Sequence, residues 1–189
     1  MIDPFTLLGL PQKLELEDTE IDRLVREASQ QHHPDAGGDS ELFQKIRLAG
    51  ELLRSPARRI RAAIEYEGLP FDERGEIPTE VMDCFSPVAT TLQNIDDFVK
   101  ERSTAVSGLG KAVLDARVPE LKTDLENVIG KLGELESTMI SGFTVFDERG
   151  WGQSGAEMGG VARGLVFVTK WRAQLREANG KLFEALLGG

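Results

Sequence analysis

Two apolar stripes at helical spacing, joined by a short loop that contains a proline, constrain this chain more than anything else in it. Ile21, Leu24, Val25 and Ala28 recur at i, i+3, i+4 and i+7. Leu42, Phe43, Ile46, Ala49 and Leu53 repeat the pattern. Between them stand His33-Pro34-Asp35 and then Ala36-Gly37-Gly38-Asp39. Pro34 fixes its own φ and biases His33 away from the helical region. The first helix must therefore end before the tripeptide, and the expected unit is a helical hairpin with a polar tip.

Further helices flank this hairpin. Phe5 to Pro11 reads as a short helix ended by Gly9. Asp18 or Thr19 can cap the first long helix, with Asp22 behind Thr19 as a loose capping box. The second long helix starts near Asp39 or Ser40 and ends near Arg54. Glu41 then sits at the positive end of its dipole. Ser55-Pro56 reads as N-cap and first residue of a fourth helix that Gly68 terminates. Ile60, Ala63 and Ile64 are expected inside it, and Arg58, Arg59 and Arg61 in water.

Residues 71–79 are polar, with prolines close by, and read as a linker between a first domain at 1–70 and a second at 80–189. Val88, Leu92, Ile95, Val99, Val106, Leu109 and Val113 form one long stripe from a start at Thr79 or Ser86-Pro87. Gly108 and Gly110 weaken it by about 1 kcal/mol each relative to Ala. Pro119 begins a second long helix, with Leu121, Leu125, Val128, Leu132, Leu135 and Met139 inside. Ser141 to Gly160 is Gly-rich and reads as a long loop, and a last helix spans 161–187. Three long helices at this spacing imply an antiparallel bundle. The expected class is all-α.

Composition removes several function classes. Net charge is −10, with 9 Lys/Arg against 13 Asp/Glu in residues 1–70 and 13 against 19 in the remainder. Neither part has the clustered cations that nucleic-acid binding needs. No run approaches ~20 apolar residues, so no membrane span is expected. Met1-Ile2-Asp3-Pro4 has neither a basic nor an apolar leader segment. With Cys84 as the one cysteine, no intramolecular disulfide can form. A cytoplasmic protein is expected. His32 and His33 are adjacent on the chain and diverge, and no other residue completes a metal set. The acidic pairs Asp72-Glu73 and Asp96-Asp97 have no catalytic companion, and Gly150-Trp151-Gly152 matches no phosphate loop. The expectation is a protein that is not an enzyme and needs no cofactor.

His33-Pro34-Asp35 between two amphipathic helices resembles the J domain, with which J proteins stimulate a DnaK-type chaperone ATPase. The opening Phe5-Thr6-Leu7-Leu8-Gly9-Leu10-Pro11 and the Pro56-Ala57-Arg58 start of the fourth helix are similar to the HscB family, J-type co-chaperones of iron–sulfur cluster assembly. The resemblance covers residues 4 to about 69. It implies an N-terminal J domain followed by a C-terminal antiparallel three-helix bundle. It also implies that His33, Pro34, Asp35, Arg23 and Arg26 bind a DnaK/HscA-type chaperone, with Asp35 facing an arginine there. The family presents an apolar patch to the cluster scaffold protein, and Val81, Met82, Phe85 and Phe167 match its positions. Arg163-Gly164-Leu165-Val166-Phe167 resembles the family's Arg-Lys-Leu-Arg-Phe.

There are departures. Pro87-Val88-Ala89-Thr90 replaces a charged stretch after the patch. Gln30 and His32 stand where the family has a basic residue and Tyr, and Ala36 replaces Lys. Two alternatives therefore stay open: a J-like adaptor that no longer engages an ATPase, or a general J protein with an unrelated client.

Overall fold

The computed structural model describes residues 3–187, and among them all regular structure is helical. Met1, Ile2, Gly188 and Gly189, which bound the two expected segments, lie outside the described residues. The helices are α1 (Pro4–Leu7), α2 (Asp18–Gln31), α3 (Ser40–Arg54), α4 (Pro56–Tyr66), α5 (Thr79–Met82), α6 (Phe85–Thr104), α7 (Gly108–Asp115), α8 (Val118–Ser141), α9 (Phe143–Arg149) and α10 (Gly155–Leu187). Short 3-10 turns lie at Pro34–Ala36 and Trp151–Gln153.

The chain divides into two compact units. One joins Glu76 and the residues before it to Met139–Leu165. The other joins Ile77–Thr138 to Val166 and the residues after it.

In the first unit, Asp3 caps α1 by accepting from the amides of Phe5 and Thr6. After α1, Leu10 donates to the Phe5 carbonyl at 2.9 Å and Gly9 to Thr6 at 3.1 Å. After α4, Leu69 donates to Ile64 at 3.0 Å and Gly68 to Glu65 at 3.1 Å. Both pairs satisfy carbonyls that a helix end leaves unpaired. The apolar stripes of α2, α3 and α4 meet as their spacing requires, burying Ile21, Val25, Ile46, Leu53, Ile60 and Ile64.

Three expectations fail in this unit. Glu17, not Asp18 or Thr19, holds the N-cap position of α2, and it makes no side-chain cap. Asp18 is instead an ion-pair partner of Arg59 at 3.2 Å. Arg59 itself does not face water: it is 3% exposed. Its guanidinium donates to the carbonyls of Leu53 (2.6 Å), Leu14 (2.8 Å) and Leu16 (3.2 Å). The cause lies in the segment between α1 and α2, whose non-helical backbone needs partners when it packs inside. Arg59 supplies donors, and Asp147 of α9 supplies acceptors to the amides of Leu14 (2.9 Å) and Glu15 (3.0 Å). Burial pulls the Arg59 pKa down, opposed by Asp18 and by the charge of Asp147.

The third failure is the expected loop from Ser141 to Gly160. It contains α9, a 3-10 turn and the first residues of α10. Phe143, Phe146, Trp151 and Met158 are buried, and the Trp151 ring packs tilted at 45° against Phe5 with ring centres 5.6 Å apart. Apolar burial outweighs the helix penalty of the glycines here. The stretch after α4 is not helical, but it is pinned. Arg163 donates to the carbonyls of Asp72 (2.7 Å) and Glu76 (2.8 Å). The guanidinium groups of Arg61 and Arg163 lie 4.9 and 5.6 Å from the centre of the Phe71 ring.

The second unit is a three-helix arrangement of α6, α8 and α10. The ion pairs Arg117–Glu101 and Arg172–Glu136, with Arg102 donating to the Ala185 carbonyl, make α8 antiparallel to the other two. The long stripe from Val88 to Val113 is not one helix. Thr104 ends α6, Ala105 is extended, and Ser107 caps α7 by accepting from Gly110 at 3.0 Å. Val106, Leu109 and Val113 are consequently exposed rather than in the core.

Candidate functional site

The tripeptide loop is held almost wholly by its own atoms. His32 closes α2 by donating to Ala28 at 3.1 Å. His33 is extended (φ −65°, ψ 130°), as the following proline requires. The His33 carbonyl accepts from Ala36 and Gly38, both at 3.0 Å, and the Pro34 carbonyl from Gly37 at 2.9 Å. The His33 Nδ1 accepts from the Asp35 amide at 3.2 Å, and its ring stands edge-on to Phe43 at 5.2 Å. Gly37 has φ +82°, which a side chain resists. A Cβ on Gly38 would sit 2.3 Å from the His32 carbonyl carbon. Asp39 then caps α3 through Glu41 (2.8 Å) and Leu42 (3.3 Å).

The consequence is a fixed bend with an acidic tip. The Asp35 side chain is 91% exposed, with the His33 Nδ1 that accepts from the Asp35 amide lying 3.7 Å from Oδ2. Among the described residues no hydrogen bond to the carboxylate restrains it. It is therefore free to receive a cation from another molecule.

Beside the loop, α2 and α3 form a shallow groove of about 350 Å³ that includes Arg26, His33, Phe43, Arg47 and Arg54. Arg54 pairs with Asp22 at 2.5 Å, whereas among the described residues Arg26 and Arg47 have no ion-pair partner. Arg47 was not singled out in the sequence, although its i+4 spacing from Phe43 places it on this flank. Arg23 is on α2 but not part of the groove. Glu20 and then Glu27 bind its guanidinium at 2.6 and 2.8 Å, and they hold its proton more firmly than usual. Its positive charge is already matched within the helix.

The second set of predicted residues lies in the other unit and is only partly at the surface. Met82 and Phe85 are 51% and 54% exposed, and Phe167 is half-buried. Val81 is fully buried. It continues the core stripe of Cys84 and Val88 and offers a partner no surface. Phe85 and Phe167 share one support that sequence reasoning missed. The buried Trp171 ring meets Phe85 edge-on at 5.8 Å and Phe167 at 5.5 Å. The signal was the i+4 spacing of Phe167 and Trp171 on one helix. The Cys84 thiol is buried and donates to the Glu80 carbonyl at 3.4 Å, and desolvation pushes its pKa up. It behaves as a small core residue.

Among solved structures, the chaperone HscB from Vibrio cholerae is similar to this chain along nearly its whole length. The match has a TM-score of 0.62 and covers 96% of this chain and 99% of that one, at 15% identity. The chain has the HscB fold. No family model and no curated protein sequence matches it. At this identity the likeness concerns architecture, and function has to be argued from the sites on the HscB-like frame. Among the described residues no helix is long and apolar enough to cross a membrane.

Proposed function

We propose that the chain is a J-type co-chaperone that stimulates the ATPase of a DnaK/HscA-type partner. The observation that carries this reading is the acidic tip: Asp35, 91% exposed, on a bend closed by His33, Gly37 and Gly38. A bend ordered before contact loses little conformational entropy on association. An unpaired carboxylate opposite a partner arginine gains a charge-assisted hydrogen bond. Arg26, with Arg47 across the groove, supplies the flanking positive charge that orients an acidic partner surface. No bond is made or broken in this chain. It favours one conformation of the ATPase by binding that conformation better than the other.

On this reading residues 1–70 act as the J domain, 71–79 as the connection, and 80–189 as the client-binding segment. Met82, Phe85 and Phe167, backed by Trp171, form the docking patch, and the iron–sulfur cluster scaffold protein is the candidate client. Exposed aromatic groups on a rigid support are the usual material of an interface centre. The cytoplasm is the proposed setting.

The adaptor reading has one observation in its favour: the charge of Arg23 is consumed by Glu20 and Glu27. Purified partner ATPase separates the two. A co-chaperone raises its turnover and loses that effect on Asp35→Asn. An adaptor leaves turnover unchanged at saturation.

A further inference from the structure

The first unit has a second groove, larger than the one beside the tripeptide and built of different residues. It measures about 770 Å³ and lies among α1, α3 and α4. Its apolar surface comes from Leu7, Leu48, Leu52, Ala62 and Tyr66. Leu48 is 63% exposed and Tyr66 48%, so large apolar groups face water here.

Helix geometry places this groove away from the acidic tip. At 3.6 residues per turn, the stripe Phe43, Arg47, Glu51 and Arg54 and the stripe Lys45, Leu48 and Leu52 lie about 140° apart around α3. They flank the core face, Ile46, Gly50 and Leu53, on opposite sides. A molecule in one groove leaves the other open.

The charges at the rim select the occupant. Lys45 is already paired with Glu41 at 2.5 Å. Asp3 is engaged by the amides of Phe5 and Thr6, the Thr6 hydroxyl and Gln12. Glu65 is exposed and has no ion-pair partner among the described residues. The groove therefore offers an apolar floor and two carboxylates with no cationic partner among the described residues, the capping Asp3 and the open Glu65, within a chain of net charge −10.

We propose that this groove binds an amphipathic helix of a partner protein, with leucine-type side chains laid along Leu48, Leu52 and Tyr66 and a lysine or arginine brought to Glu65. Helix-in-groove recognition uses this combination of apolar anchors at i, i+3/i+4 and i+7 with a charged edge. The inference does not rest on the co-chaperone reading, because it involves neither the tripeptide nor an ATPase.

The test uses the full isotope-labelled chain and two designed helical peptides, one of Leu and Lys, the other identical but with Glu for Lys. The Leu/Lys peptide is expected to shift the amide resonances of Leu7, Leu48, Leu52 and Tyr66 and to bind at least about tenfold tighter than the Leu/Glu peptide, a difference of about 1.4 kcal/mol. Leu48→Asp, at an exposed position, should abolish these shifts with the helical spectrum unchanged. Glu65→Lys should reverse the order of the two peptides. The proposal is overturned by shifts confined to other surfaces, or by equal binding of both peptides. It is also overturned by a peptide-free dimer in sedimentation that Leu48→Asp dissolves, which would make a second copy the occupant.

Discussion

Replacing Arg59 with methionine isolates the interaction on which the entry into the helical hairpin depends. Methionine keeps most of the volume and stem packing of the side chain, so the cavity contribution is small. What disappears is donation to the buried carbonyls of Leu53 and Leu14 at 2.6 and 2.8 Å. Hydrogen bonds from a charged donor contribute about 1.5–3 kcal/mol each. The pairing with Asp18 adds little, since that carboxylate is 71% exposed. The expected loss is about 3–6 kcal/mol, the sum over these two bonds. Each kcal/mol moves Tm by about 2–4 °C at this chain length, so a fall of roughly 12 °C is expected. Urea unfolding measures the loss directly, and amide exchange at Leu14 and Glu15 should accelerate with it. A loss below about 1 kcal/mol would refute the reasoning. Those carbonyls would then be satisfied without Arg59.

Two other perturbations have definite expected outcomes. Gly38→Ala puts a methyl group 2.3 Å from the His32 backbone. It should displace the Asp35 tip and lower ATPase stimulation while the overall helicity, read by circular dichroism, stays constant. Trp171→Leu removes the ring under Phe85 and Phe167 and should weaken scaffold capture in a pull-down as much as Phe85→Ala with Phe167→Ala does. Each lost aromatic pair is worth about 0.5–1.5 kcal/mol beyond area. Full capture by both variants would remove the patch from the account.

Much of the hairpin was legible because one rule governs it. A 3.6-residue apolar period, a proline that stops the first helix and an Asp that caps the second fix α2, the loop and α3 without help from distant residues. Where long-range packing decides, local rules misled. Arg59 stands in an Arg-rich run and looks solvated, yet its i+4 spacing to Ala63 already placed it at the core edge. Beside the nearby Leu53 carbonyl, the need of Leu14 and Leu16 for donors explains its burial, and that need comes from 43 or more residues away. The glycines of 141–160 masked the helical spacing of Phe143 with Phe146 and of Met158 with Ala162. Ser107 as a cap for Gly110 was the overlooked break between α6 and α7. Val81 read as one of an exposed pair with Met82, although its spacing to Cys84 and Val88 is that of a core stripe.

At the loop itself, sequence gave the residue types and the bend, but not the environment of the charges. That Arg23 is neutralised by Glu20 and Glu27 while Arg26 and Arg47 remain unpaired depends on side-chain placement around α2 and α3. The spacing of Arg23 from both glutamates, i−3 and i+4, was the available sign. Trp171 was hidden differently: buried aromatics on a long helix are ordinarily core, and the contacts with the rings of Phe85 and Phe167 set this one apart.

The most direct measurement is the steady-state ATPase rate of a purified DnaK/HscA-type chaperone titrated with this protein and with Asp35→Asn. The wild-type chain should raise turnover. The variant, unchanged in helicity and melting, should need at least about tenfold more protein for the same effect, since removing one partner of a buried charge pair costs 2–5 kcal/mol. Equal stimulation by both proteins would contradict the account.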